Sequence, residues 1–175
     1  VKDKKPQKLG FVIDRLTDSI INVVTGDSFP TLVLNLTMED LKQVTKRKGW
    51  NFDWKTELVS DTKEVYKLTI IHNPDIIQGL VSISIEPDHV YMHLVENAPF
   101  NIGERRMYEG VAGNLVAHAF RVSFQHGFDG FVAFTAKTKL VEHYRKTLGA
   151  EALSGTKMVI GTDQARFLVE KYFKS

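Results

Sequence analysis

The chain has 175 residues, 43% of them apolar and 25% charged, with no cysteine and a formal net charge of +2. Such a balance suits a globular domain with a sizeable core, and it excludes disulfides, thiolate metal sites and cysteine nucleophiles. The small charge argues against nucleic acid as the main partner. No apolar run approaches the ~20 residues that span a bilayer, so no membrane partner is expected and a cytoplasmic location is.

The first ten residues carry Lys2, Lys4, Lys5 and Lys8 and are expected to fray. Over residues 11–28, apolar pairs (Val12-Ile13, Ile20-Ile21, Val23-Val24) mix with Asp, Thr and Gly, which fits a short helix or a strand pair equally. Residues 1–30 are therefore expected to be an extension, packed on or frayed from a domain spanning 31–175. Residues 31–36 form a strand. Thr37 then caps a helix over 38–46, with Asp40 in its first turn, Lys46-Arg47-Lys48 at its end and Gly49 as its stop. The aromatic connection from Trp50 to Trp54 needs burial.

Residues 65–72, 79–86 and 89–96 read as three strands, separated by the turn signals Asn73-Pro74-Asp75 and Glu86-Pro87-Asp88. They describe an antiparallel meander. Val111, Leu115, Ala119 and Val122 recur at helical spacing, which predicts a helix over 110–125. Residues 130–134 form a short buried strand. A second amphipathic helix over 138–147 carries Leu140, Tyr144 and Leu148 on one stripe and ends at Gly149. A hairpin across Ser154-Gly155 joins 150–153 to 156–160, and Thr162 caps a last helix bearing Ala165, Leu168, Val169 and Tyr172.

The sharpest local feature is the run His93-Leu94-Val95, an irregular connection, and then Gly110-Val111-Ala112-Gly113-Asn114 opening a helix. A strand that ends in a glycine turn and continues as a helix makes an anion site. Unpaired N–H groups point outward, the dipole favours negative charge, and glycine lets phosphate oxygens approach. By itself the same pattern also serves close helix packing.

The order of these pieces resembles the GNAT superfamily of acyl-CoA-dependent N-acetyltransferases. Residues 31–41 (TLVLNLTMEDL) look like that family's opening strand and first helix. Residues 107–116 (MYEGVAGNLV) are similar to its pyrophosphate motif, and 137–150 (KTKLVEHYRKTLGA) to its second cofactor motif. The resemblance implies an α/β (α+β) fold with a mixed, mostly antiparallel central sheet and helices on both faces. There are departures. Met107 stands at the usual Gln/Arg place, the connection from Val95 to Gly110 is long, and one extra residue separates Tyr144 from Gly149.

What the resemblance implies for the site follows residue by residue. Acetyl-CoA is the co-substrate, with its pantetheine arm along the backbone of Leu94 and Val95 in a gap between splayed strands. The amides of Tyr108, Glu109, Gly110, Val111, Ala112, Gly113 and Asn114 hold its pyrophosphate, and Lys137 reaches a phosphate. Tyr144 protonates the departing thiolate. Glu96 or His93 is the base that takes the proton of a primary amine. In a regular strand the two face opposite sides, and Glu96, where the strand exits, is favoured. The stretch from Trp50 to Trp54 is expected to wall the acceptor pocket.

His118, His126 and His143 lack ligand spacing, so no metal is expected, and Ser123 and Ser154 lack a base partner. The expected activity is direct acetyl transfer to an amine. The alternative is a GNAT-fold module that binds or senses acyl-CoA without turnover. A nucleotide-binding protein of another type is disfavoured by the antiparallel meander and the missing Walker lysine. A homodimer is one arrangement that the sequence leaves open.

Overall fold

The computed structural model describes residues 6–173; Lys2, Lys4 and Lys5 of the opening basic cluster lie outside them. Among the described residues, nine strands form one sheet in the order β6-β1-β2-β3-β4-β5-β7-β9-β8. They are β1 (Ser19–Asn22), β2 (Ser28–Asn35), β3 (Glu64–Ile70), β4 (Gly79–Ile85), β5 (Val90–Asn97), β6 (Tyr108–Glu109), β7 (Val132–Thr135), β8 (Glu151–Ser154) and β9 (Lys157–Ile160). The helices are α1 (Trp54–Val59), α2 (Val111–Gln125), α3 (Val141–Leu148) and α4 (Thr162–Tyr172). Every strand pair is antiparallel except β5 with β7. The result is the mixed, mostly antiparallel sheet that the sequence implied.

Helices cover both faces. A Cβ at Gly79 would sit 2.7 Å from Val111 and 3.0 Å from Leu115, so that face of β4 carries α2. The next residue, Leu80, points the other way, and its register partner Glu96 bonds Trp54 of α1. Glycine at position 79 thus lets α2 lie directly on the backbone of the sheet.

The expected helix over 38–46 is instead two short 3₁₀ turns, Glu39–Gln43 and Lys46–Lys48. The local signals are still in place: the Thr37 and Asp40 side chains cap each other's backbone N–H, and Gly49 takes the left-handed conformation with φ 101°. The segment is too short and too polar to hold a longer helix by packing. Trp50 and Trp54 are both buried, and Trp54 opens a helix, α1, that sequence periodicity did not reveal.

Residues 19–35 settle the ambiguity of the opening segment as a strand pair, β1 with β2. Upstream of it, Leu9, Phe11 and Ile13 are buried in the main core, as is Ile20 of β1. The stretch around Leu9 therefore packs, where fraying was expected, and residue 30 falls inside β2.

Candidate functional site

β5 and β7 run parallel and pair from Val90–Val132 to Met92–Phe134, and no further. Beyond Phe134 the strands diverge, and the gap opens toward the N-terminal end of α2. The parting begins at an irregularity in β5. Ser82 opposes Leu94 and Ile83 opposes Met92, which leaves His93 as an extra residue, a β-bulge. The bulge changes the alternation of the strand. His93 and Glu96, which a regular strand would place on opposite faces, end on the same face, toward α1.

Glu96 is 5% exposed and accepts three hydrogen bonds. They come from Asn51 N–H (2.7 Å, to Oε2), Phe52 N–H (3.4 Å, to Oε1) and Trp54 Nε1–H (2.8 Å, to Oε1). The carboxylate thus ties the aromatic connection to the end of β5. Oε1 takes two donors and Oε2 one, so Oε2 keeps an acceptor position. His93 is held differently, with Nε2 2.7 Å from Ser84 Oγ and its ring against Tyr91. Burial and the charge of nearby Lys63 hold its pKa below the ordinary imidazole value.

A cavity of ≈ 600 Å³ lies along the free end of β5, lined by Val95, Glu96 and Asn97 and by Asn51 and Phe52 of the aromatic connection. Its other walls are the loop from Asn101 to Arg106, Lys137, and residues of the opening segment, Gly10, Phe11, Val12 and Asp14. His93 is not among its lining residues. Glu96 and the aromatic connection meet at this cavity.

The opening segment occupies the gap itself. Leu9 bridges Ala136 in parallel register, its N–H donates to Thr135 C=O at 2.7 Å, and Lys137 N–H donates to Leu9 C=O at 2.9 Å. Thr135 already pairs with Lys157 of β9 on its other side, so Leu9 takes the side that β5 has left. Tyr144 is fully buried, and its hydroxyl donates to the Phe11 carbonyl while its ring lies tilted against Phe11 at 4.7 Å and edge-on to Phe134 at 5.1 Å. Burial raises its pKa above that of an ordinary phenol. Ile13 N–H donates to His143 Nε2 at 3.0 Å.

The glycine turn is also engaged. Gly110 has φ 96°, and its N–H donates to Asp14 Oδ1 at 3.0 Å. Asp14 Oδ2 lies 3.3 Å from Arg106 Nε, and Arg106 in turn binds Glu109 at 2.7 Å. At Gly113 a Cβ would stand 2.9 Å from the Arg15 carbonyl, so glycine here admits backbone, where the sequence suggested phosphate. Tyr108 N–H donates to Asn101 Oδ1 at 3.1 Å, and Tyr108 and Glu109 pair with β1 as β6. Asn114 works through its side chain: Nδ2 donates to the carbonyls of Thr17, Ser19 and Gly110, and Oδ1 accepts from Thr31. Val111, Ala112 and Gly113 form the first turn of α2, which has no cap from its own N-cap side chain. Leu94 is buried and paired with Ser82, and Lys137 lies across Gly10, with Cδ 2.9 Å from where a Cβ would be.

Sequence reasoning missed Asp14, Arg106 as its partner, and Phe11. The signal was present as apolar residues at 9, 11 and 13, the period of a strand, but Val12 blurred it. Burying three such side chains is worth roughly 5–9 kcal/mol, far more than one surface hydrogen bond. The segment is therefore part of the core in this state.

The fold as a whole is similar to that of several solved structures. The KacTA–DNA complex matches with TM-score 0.52 and 16% identity, covering 80% of this chain and 98% of that one. AtaTR bound with AcCoA matches at 0.51 and 15%, covering 79% and 97%. The spermidine/spermine N-acetyltransferase SpeG from Vibrio cholerae, solved with manganese ions, matches at 0.51 and 13%, covering 81% and 96%. No family model and no curated protein matches the sequence. At these identities the likeness is one of fold alone: the chain has a GNAT-type fold, in a divergent form.

Proposed function

We propose that the chain is an acyl-CoA-dependent N-acyltransferase that moves an acetyl group from acetyl-CoA directly to a primary amine. The observation that carries this is that β5 and β7 cease to pair after Met92–Phe134, beside a cavity lined by Val95, Glu96, Arg106 and Lys137. Two structures of the same fold agree with it in what they are, one bound with AcCoA and one a spermidine/spermine N-acetyltransferase. In this reading the free acceptor position of Glu96 Oε2 receives the amine's proton. The amine nitrogen attacks the thioester carbon, the C–S bond breaks, and the Tyr144 hydroxyl protonates the sulfur. His93, outside the cavity lining, positions β5 through Ser84. One structure of this fold is a DNA complex, so the absence of a nucleic-acid partner rests on the net charge of +2 alone. Among the described residues no helix is long and apolar enough to cross a membrane.

A second reading, an acyl-CoA-binding module without turnover, is favoured by one observation: the Tyr144 hydroxyl is committed to the Phe11 carbonyl. The two separate in one assay series. Thiol release from acetyl-CoA is expected with at least one member of a panel of polyamines, peptides and aminoacyl amines, falling about 100-fold in Tyr144→Phe. CoA should raise the melting temperature where ATP and NAD do not. If CoA stabilises the protein and no amine draws thiol release, the second reading holds.

A further inference from the structure

We propose that residues 9–18 are an intramolecular stand-in for the cofactor, closing the cleft in the free protein and leaving it when acyl-CoA binds. The inference rests on the acyl-CoA reading of the cleft given above. Three separate contacts along one continuous stretch carry it, and each occupies a group that a different part of the cofactor would use.

At the narrow end, Leu9 takes the ladder positions of β7 that β5 has vacated, where an amide-bearing arm would lie. In the middle, the Phe11 carbonyl takes the Tyr144 hydroxyl, the donor expected at a thiol sulfur. At the mouth, the Asp14 carboxylate sits on Gly110 N–H and against Arg106, which is how a phosphate oxygen would be held at this helix end. The Asp14 side chain is only 18% exposed, so the charge is placed in the site and not merely near it.

The stretch has one laddered side and one side on the cavity. Its ladder bonds run to one side only, toward Thr135 and Lys137, and its other side borders the ≈ 600 Å³ cavity, with no strand of its own at residues 10–18. An anionic ligand that competes for Gly110 and Arg106 lifts Asp14 first, and the residues before it follow into the space beside β5. Because segment and ligand exclude each other, weakening one contact of the segment tightens the ligand, by up to the same factor while the closed form predominates.

The test uses the full chain and CoA as the probe. Binding is measured by titration calorimetry, and amide exchange at Leu9 and Ile13 is read with and without CoA. Wild type is expected to bind weakly and to lose protection at both amides on saturation. Asp14→Asn and Phe11→Ala are each expected to bind CoA about tenfold tighter or more. Asp14→Asn keeps the side-chain shape, and thermal melts confirm that both variants are folded at the assay temperature. If CoA binds with Leu9 and Ile13 still protected and the variants bind no tighter, the stand-in is overturned while the acyl-CoA reading stands. If neither wild type nor variants bind millimolar CoA, the acyl-CoA reading fails and the stand-in falls with it.

Discussion

Two residues named from sequence, Tyr144 and Glu96, each hold a structural bond in the free protein, and that bond sets what their substitution does. Tyr144→Phe removes the donor from the Phe11 carbonyl in a fully buried site. An unsatisfied buried carbonyl costs about 1–3 kcal/mol, so the urea midpoint should fall by that equivalent. A tyrosine whose hydroxyl merely faced an open cleft would leave the midpoint unchanged. Glu96→Gln places an amide nitrogen among three donors, Asn51 N–H, Phe52 N–H and Trp54 Nε1–H. At least one of them loses its acceptor. A comparable loss of about 1–3 kcal/mol is expected, with a change in tryptophan fluorescence because Trp54 Nε1–H bonds the altered side chain. The elements that carry them were legible in the sequence, a strand ending just after Glu96 and a helix with Tyr144 on its apolar stripe. Which partners they take was not, since Phe11 is 133 residues from Tyr144 and Asn51 is 45 from Glu96.

The elements divide in the same way. Strands bounded by Pro and Asn turns were legible in the sequence, as was α2, whose apolar positions recur at helical spacing. The bulge at His93 was not, because it depends on the register against Ser82 in another strand. Helix α2 also carries a titration that belongs to the element and not to the cleft. His118 Nε2 has no hydrogen-bond partner, its ring lies 4.3 Å from Tyr66, and burial together with the Arg121 charge lowers its pKa to about 4. Its unfolded value is about 6.5. A histidine depressed on folding must be neutral in the native state, so its contribution is complete above pH 6.5. It is lost as the pH falls from there toward 4, up to about 3 kcal/mol. Stability measured by denaturant between pH 7 and 4 should therefore decline, and His118→Gln should flatten that decline. An unchanged slope in the variant would place the acid sensitivity elsewhere.

At the scale of the molecule, the central question is whether the chain before β1 is an addition to the fold or a piece of it. Lysine content suggested an addition, and composition is the right guide when a segment has no apolar surface to bury. Here it misleads, because the lysines flank a three-residue apolar stripe, Leu9, Phe11 and Ile13, that fills the space β5 leaves on parting from β7. A GNAT sheet that splays must fill its gap with something, since an open apolar cleft lined by Phe134 and Tyr144 would expose the core to water. In the free protein the filler is the chain's own opening segment. Phe11→Ala should accordingly act as a core truncation, lowering stability by about 3–5 kcal/mol, where the same change in a frayed extension would be neutral. Added CoA should restore part of that loss, because a ligand that fills the same gap stabilises the variant more than wild type. Thermal melts of both proteins over a CoA series measure the two effects together. A Phe11→Ala protein as stable as wild type would mean that the segment does not pack in solution as it does here.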